Sequence, residues 1–553
     1  MAVENRAQIL GDEAAQVVDA VVVGAGLAGV SALYHLRRQG IRVLVLEASD
    51  GIGGTWYHNR YPGARCDIES LDYSYSFSEE LQQDWHWSER YASQQEILAY
   101  VQHVVDRFDL RKDIELNARV VSAVFDETDG RWAVRTENGQ QFSAKYCLLA
   151  TGVLSAAQVP QIRGTESFQG RSYHTADWPT EGVDLSGDRV GVIGTGSSGT
   201  QLIPLVAEQA AHLYVFQRTP NFVMPAQNRP MDPDLERHWK EHYPELRKKA
   251  RATRNGHNQI SNPLRGKDVS PEERRAEFER RWELGGLYMM RAFADILTDP
   301  EVNAEAGDFA REKIRQIVDD PATAEALMPP RELALGTKRL CSGTNYYETY
   351  NRDNVTLVNL REAPIEAVTP TGIRTADGSE YELDVIVYAT GFDAMTGSFL
   401  RIDVRGRGGL SLREKWQHGP RTYLGVMTHG FPNLFILAGP QTPSVFSNMV
   451  NQAEIHVEWV NECIAHLEKN EIDTIEANED AENAWVDHVN ELASRTLYAQ
   501  SRNSWFWGAN TPGKPRVFMP YVGGIDRYLQ KLGEVVAHGY EGFTLRSRQL
   551  ARA

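Results

Sequence analysis

Two glycine-rich loops carry the most legible chemistry in this chain, and each is answered about two dozen residues later by a charged side chain. The first, Gly24-Ala25-Gly26-Leu27-Ala28-Gly29, follows an apolar run at 17–23 and opens an amphipathic stretch through Leu33, Leu36 and Arg38. A second apolar run at 41–46 then ends at Glu47. Strand, glycine turn, helix, strand and acid in this register form a nucleotide-binding unit. The turn must be tight, the backbone must approach a pyrophosphate, and the anion then sits at a helix N-terminus whose free N–H groups favour it. A carboxylate at Glu47 accepts hydrogen bonds from a ribose 2′-hydroxyl and repels a 2′-phosphate, so this loop suits FAD or NAD(H) and not NADP(H). The second loop, Gly194-Thr195-Gly196-Ser197-Ser198-Gly199, leads through an apolar run at 213–216 to Gln217-Arg218-Thr219. An arginine now stands in place of the acid. Its guanidinium can hold a 2′-phosphate bidentately, so this loop suits NADP(H). Two nucleotide sites of opposite preference describe a flavoprotein reduced by NADPH.

The elements that must position these loops are repeated too. Residues 131–136, an Asn138-Gly139 turn and a return strand run into Ala150-Thr151-Gly152; residues 372–375, an Asp377-Gly378 turn and 383–388 run into Ala389-Thr390-Gly391. Each glycine loop therefore has its own hairpin and its own A-T-G exit, a repeat of a whole nucleotide-binding unit. Gly29 to Ala150 is 121 residues and Gly199 to Ala389 is 190, so the second unit carries 69 more. The surplus falls at about 231–330, which is dense in Glu, Arg, Lys and Asp and has no strand-like run. Helix starts are written there at Ser270-Pro271-Glu272-Glu273 and Thr298-Asp299-Pro300-Glu301. Its charge runs read as solvated helix faces. The expected fold is α/β, with two Rossmann-like dinucleotide-binding domains and a helical insertion. The expected division is 1–155 with 390–553 for FAD, 168–226 with 331–389 for NADP(H), and 227–330 for the insertion.

The bulk properties agree with a chain of this kind. At 553 residues it exceeds one core. A net charge of −17, from 58 basic and 75 acidic residues, argues against nucleic acid or an anionic membrane surface as partner. Cys66, Cys147, Cys341 and Cys463 are widely spaced and form neither a redox C-x-x-C nor a metal-ligand pattern, so no metal is expected. Residues 1–16 lack the apolar core of a signal peptide, and no apolar run approaches a membrane span. The reading is a cytoplasmic protein with no membrane partner; no pattern sets its oligomeric state. The tract 73–110 reads as core helices and loops.

Ahead of the second loop lies Phe168-Gln169-Gly170-Arg171-Ser172-Tyr173-His174-Thr175-Ala176-Asp177-Trp178-Pro179. A histidine beside a tryptophan is more often a packed linker residue than an acid or base, and no chemistry is assigned to it. The pattern nevertheless resembles, at Phe168, Gly170, His174, Thr175, Trp178 and Pro179, the fingerprint of the type I Baeyer–Villiger monooxygenases. Gly53-Gly54-Thr55-Trp56, Tyr61-Pro62-Gly63 and Asp67 are similar to a second pattern of that family. The resemblance spans roughly residues 17–545, nearest the phenylacetone and steroid monooxygenase branch. It implies FAD and NADP(H) as cofactors and O2 and a small-molecule ketone as partners. It further implies that one oxygen atom is inserted beside the carbonyl through a C4a-peroxyflavin to give an ester or lactone, with sulfide oxidation as an expected side activity. It also implies that Gly54, Thr55, Trp56, Asp67 and Tyr73 lie near the flavin, and that Lys338 joins Arg218 and Thr219 at the 2′-phosphate. Arg339 then faces the flavin and steadies the peroxide anion, with Asp67 as its paired carboxylate. Ser444-Val445-Phe446 resembles the substrate-facing loop, and Trp505 belongs to a stretch, 504–514, able to fold over a site; Trp507 reads as a buried anchor. The flavin-containing monooxygenases that oxidise nitrogen or sulfur share the two-nucleotide plan and stand as the alternative, although their fingerprint lacks the Trp178-Pro179 ending.

Overall fold

A computed structural model describes residues 15–501 and 503–547; the N-terminal reading above falls, up to residue 14, outside them. Strands buried on both faces of a parallel sheet read as near-continuous apolar runs, and the runs before the two glycine loops form the centres of two such sheets. The first uses β1 (Gln16–Val23), β2 (Val43–Leu46), β3 (Ile114–Glu115), β4 (Val120–Asp126), β5 (Arg131–Thr136) and β6 (Gln141–Leu149). Its parallel core runs β3-β2-β1-β6, and Leu434–Ile436 joins β6 on the far side. The second uses β7 (Arg171–His174), β8 (Arg189–Ile193), β9 (His212–Gln217) and, beyond a short parallel pair of β10 (Val223–Pro225) with β11 (Cys341–Gly343), also β12 (Val355–Asn359). After β13 (Ile365–Thr369), β14 (Gly372–Thr375) and β15 (Glu380–Glu382) comes β16 (Val385–Tyr388), which completes the order β12-β9-β8-β16-β7, parallel throughout. The two cores follow the same strand order. Ile41 and Arg42 precede the second strand, which begins at Val43.

The hairpins repeat with one difference. In the first unit β6 is continuous, so its start pairs antiparallel with β5 and its end lies in the parallel core. In the second unit the same path breaks between β15 and β16, and β13-β14-β15 becomes a separate three-stranded sheet. Val23 ends opposite Leu149, and Ile193 ends opposite Tyr388. Each glycine loop therefore leaves the sheet beside its A-T-G exit. Helix α1 (Leu27–Arg38) buries Val30, Leu33 and Leu36 and packs with the long helix Met449–Lys469. Helix α2 (Ser197–Gln209) buries Leu202, Ile203 and Val206 in the second core.

The insertion leaves after β10 and returns into β11, so that strand pair forms its neck. Its helices are Pro233–Arg251, Pro271–Leu284, Pro300–Ile317 and Pro321–Leu327. Ser270 and Glu273 form a reciprocal capping box, whereas at the next start Asp299, not Thr298, caps the helix. The charge runs are not all solvated. Arg274, Arg281 and Arg311 are buried, because loop carbonyls enclosed between the helices need donors: Arg281 pairs with Glu277 at 2.6 Å and bonds the Ile260 carbonyl, and Arg311 donates to the carbonyls of Pro329 and Pro330. Nor does the insertion have a core of its own, since Phe278, Phe293 and Phe309 pack with Phe222, Met224, Leu335 and Leu340.

Two linkers join the halves, and they pair with each other. Gln158 N–H donates to the Gly391 carbonyl, Asp393 N–H to Ala156 and Met395 N–H to Val153. His174 closes this crossing. Burial lowers its pKa, its Nδ1 accepts from the Ala176 N–H at 3.0 Å, and Nε2 is left to donate to Thr390 Oγ1 at 3.2 Å and to the Gln158 carbonyl at 3.3 Å. The fingerprint histidine is a structural tie between the linkers.

Candidate active site

The first loop is built by steric necessity. Gly24 has φ +105°, and a Cβ there would stand 2.7 Å from the Ala150 carbonyl; a Cβ on Gly29 would overlap the Gly24 carbonyl. Gly26 faces Gly54 (φ +56°), so two glycines are packed face to face at the mouth of the loop. Gly26 is also the N-cap of α1 with no side-chain cap, which leaves the first N–H groups of the helix to an anion. Glu47 is buried at the end of β2, and its carboxylate accepts from Ala25 N–H at 2.7 Å and Ser49 N–H at 2.9 Å. Each oxygen keeps a lone pair for a ribose hydroxyl. Thr55 and Trp56 begin the short helix Thr55–His58; Trp56 Nε1 donates to Tyr73 Oη at 3.1 Å, and the two rings meet edge to face at 5.8 Å.

The second loop repeats the steric plan. Gly194 has φ +110°, with its Cβ position 2.5 Å from the Ala389 carbonyl, and Gly199 is closed by the Gly194 carbonyl. Gly196 differs, because nothing lies within 4 Å of its Cβ position. It caps α2 without a side-chain bond, and Gly196 and Ser197 are exposed with Ser198 half-buried, a cradle open to a pyrophosphate. Thr195 is buried and points to Gln217 at 3.5 Å. At the end of β9 Arg218 is exposed and Thr219 half-buried. Burial, and then the charges of Arg218 and Arg361, lower the Lys338 pKa. Among the described residues, none of these three cations has an ion-pair partner. Arg361 escaped the sequence reading. No sequence signal marks it: it joins the group because β12 pairs with β9 in parallel, Asn359 opposite Gln217, so residues just beyond the two strand ends are neighbours.

The two units meet at a seam. Tyr61 Oη donates to Gln201 Oε1 at 2.8 Å, and Gln201 Nε2 to the Arg65 carbonyl at 3.1 Å, which docks the Tyr61-Pro62-Gly63 turn on α2. Arg339 crosses that seam. Its Nη2 lies 2.6 Å from Asp67 Oδ2, its Nη1 donates to the Val445 carbonyl, and its own carbonyl is held by Asn221 Nδ2 at 2.7 Å. Burial works against the guanidinium charge, but the Asp67 carboxylate and its hydrogen bond outweigh it and raise the Arg339 pKa. The arginine is a permanent cation, 27 % exposed at the side chain and so open to a ligand.

Beside it, Ser444 and Val445 are buried, and Ser444 Oγ has no partner among the described residues. The Phe446 ring packs on Tyr498 at 5.0 Å and on Phe506 at 4.7 Å. Trp505 is half-buried, with its ring 4.3 Å from that of Phe506, and Trp507 is half-buried rather than buried, anchored by Nε1 to the Tyr498 carbonyl at 3.1 Å. The stretch 504–514 is tied to the linker pair by Asn510 Nδ2 to the Phe392 carbonyl and Lys514 to Asp393.

Paired Rossmann-like sheets with their cradles and a shared cationic seam make this a two-nucleotide oxidoreductase of the flavin and NADP(H) class. The pyridine nucleotide-disulphide oxidoreductase family matches residues 21–262, although all four cysteines are free and buried, so the match reports the nucleotide fold and not a redox disulfide. A Baeyer–Villiger monooxygenase of Pseudooceanicola batsensis is 43 % identical over 94 % of this chain and 95 % of its own. A phenazine N-monooxygenase of Lysobacter antibioticus is 43 % identical over 96 % and 97 %. Among solved structures, an oxidised steroid monooxygenase bound to NADP is 51 % identical with a TM-score of 0.92, over 96 % of this chain and all of that one. OTEMO in complex with FAD and NADP is 42 % identical with a TM-score of 0.92 and the same coverage. The chain belongs to the Baeyer–Villiger monooxygenase family.

Proposed function

We infer that the chain uses NADPH and O2 to insert one oxygen atom between a ketone carbonyl and its neighbouring carbon, giving an ester or lactone, NADP+ and water. The observation that carries this reading is Arg339, a guanidinium held between Asp67 and the Val445 carbonyl where both nucleotide-binding units meet. In this reading FAD is held by Gly24, Gly26, Gly29, Glu47, Gly54, Thr55, Trp56 and Tyr73, within 1–155 and 390–553. NADP(H) is held by 194–199, Arg218, Thr219 and Lys338, within 168–226 and 331–389. Bound FAD, once reduced, supplies the activation of O2.

The side chains supply the field and the shelter. Oxygen that attacks a carbonyl must carry negative charge, and Arg339 holds a fixed positive charge there without giving up a proton. Asp67 fixes the direction of the guanidinium. Val445, Phe446, Tyr498 and Phe506 present an apolar wall that excludes water. The four buried, unpaired thiols support a cytoplasmic setting.

The test is incubation with NADPH, 18O2 and a panel of ketones, with ester or lactone carrying one label as the expected product. Heteroatom oxidation is a second reading, favoured by the N-oxidising relative. The two separate by pH, because carbonyl attack needs unprotonated oxygen and transfer to sulfur or nitrogen needs it protonated. Sulfoxide or N-oxide formation with no ketone converted at any pH would overturn the first reading.

A further inference from the structure

Arg291 ends the short turn Tyr288–Arg291, and the neighbouring Met290 side chain fills the space over Gly336, three residues before Arg339. The turn therefore packs directly on the segment that delivers Lys338 and Arg339. The Arg291 Nη2 lies 2.7 Å from His257 Nε2. A guanidinium can only donate, so Nε2 is the bare nitrogen; burial, together with the Arg291 charge, drives the His257 pKa well down. The partner of Arg291 is thus neutral. Its Nε is buried without any partner, and no carboxylate pairs with it among the described residues. Arg90, Arg274, Arg281, Arg311 and Arg339 by contrast each hold a carboxylate. Burial, and then the charge of Arg254, lower the Arg291 pKa to about 10, which still leaves it charged at neutral pH.

The histidine that holds this cation lies two residues from Asn255, which is bonded to the Phe446 wall. Tyr498 packs on Phe446 at 5.0 Å; burial raises its pKa, and the charges of Arg254, Arg339 and Arg291 act in the opposite direction. The stretch that carries His257 also holds the substrate-facing loop: Asn255 Nδ2 donates to the Phe446 carbonyl at 2.6 Å, and Asn448 N–H to the Asn255 carbonyl at 2.9 Å. The loop of the apolar wall is therefore held at Val445 by Arg339, which has its carboxylate, and at Phe446 by Asn255, two residues from the His257 that meets an arginine without one. Arg291 is half-buried, and a partly enclosed charge lacking a counter-charge gains from a ligand that brings the anion; a carboxylate matches the guanidinium fork.

We propose that Arg291 is a carboxylate-recognising point in the substrate site, so that the preferred ketones are oxo acids whose carbonyl lies at Arg339, whose apolar chain lies on Phe446 and Tyr498, and whose carboxylate lies at Arg291. The proposal rests on the Baeyer–Villiger reading for the fate of the carbonyl but not for the binding of the acid.

The test uses the FAD-loaded enzyme with a straight-chain oxo acid and its methyl ester. Wild type is expected to favour the acid through KM. Arg291→Met raises the acid KM roughly ten- to a hundredfold, the loss of a hydrogen bond to a charged group, and brings the acid-to-ester ratio near one; Arg291→Lys recovers part of it. A saturated fatty acid of the same length, which has no ketone, is expected to raise the melting temperature of the wild type and not of Arg291→Met. Should the Met variant lose its yellow colour, Arg291→Gln, which keeps a donor for His257, reads the same ratio. Equal handling of acid and ester by the wild type, with no thermal shift, would show that water alone satisfies Arg291 and the proposal is wrong. An Arg291-dependent shift with no ketone of any kind converted would leave the carboxylate site standing and remove the Baeyer–Villiger reading instead.

Discussion

Arg339 reaches three segments with one side chain, and its replacement separates binding from chemistry. Arg339→Ala leaves the Gly24–Gly29 cradle and Glu47 intact, so the protein should still bind FAD and fold. It removes the one cation held at the seam by Asp67, and loss of a preorganised donor at a developing anion costs roughly a hundred- to a thousandfold in rate. The variant should consume NADPH and release hydrogen peroxide while forming almost no ester; Arg339→Lys, with a charge but no fork, should restore coupling in part. Near-normal ester yield from the Ala variant would take Arg339 out of the chemistry. The cation cluster at the other end of the nucleotide is tested by ratio. Arg218→Ala or Lys338→Ala should weaken NADPH about ten- to a hundredfold and hardly touch NADH, which has no 2′-phosphate; equal losses for both would contradict the assignment.

At the scale of elements, the two glycine loops have the same outline but their glycines are not equivalent. Gly199→Ala would drive a methyl group into the Gly194 carbonyl, so the turn between β8 and α2 cannot keep its shape. The expected result is poor folding or a melting temperature lowered by several degrees. Gly196→Ala meets no protein atom within 4 Å and should leave the melting temperature within a degree or two. It should instead weaken NADP+, measured by titration of the oxidised enzyme, because the methyl group occupies the space the pyrophosphate needs. If both variants melt alike and bind alike, the loop is not a cradle. The element signals were legible in the sequence for a physical reason: turn, strand and helix-start rules act over a few residues, and the Ser270–Glu273 box and the hairpins at 131–149 follow them.

The whole molecule is held at junctions that carry charge. Asp72 is buried between the segments that carry Asn258 and Asn448; its carboxylate accepts from Asn258 N and Nδ2, both at 2.9 Å, and its backbone carbonyl from Asn448 Nδ2. Burial raises its pKa from 3.8 to about 6. Below about pH 4 the group is protonated folded and unfolded, and it contributes nothing. Between about pH 4 and 6 the unfolded chain ionises first, so stability falls, by roughly 3 kcal/mol in all, and above that the difference is constant. The melting temperature of the wild type relative to Asp72→Asn should therefore decline across that window and then level off. A flat difference from pH 4 to 8 would show that Asp72 does not titrate there.

Local periodicity and loop chemistry determined on their own that the chain holds two strand-glycine-helix-strand units, that each has a hairpin and an A-T-G exit, and that the surplus of the second unit is helical. Those features depend on neighbours in sequence, so sequence displays them. Tertiary structure alone decided which distant residues share a place. Arg339 and Asp67 are 272 positions apart, and only the docking of the Tyr61-Pro62-Gly63 turn on α2 brings their segments to one seam. Arg361 reaches the Arg218 and Lys338 charges because β12 lies beside β9, and His174 ties two linkers that meet only when both sheets are built. The burial of Arg281 and Arg311 depended in the same way on helix crossings. No run of charged residues announces whether the next helix will cover it, because burial belongs to the packed chain and not to the segment.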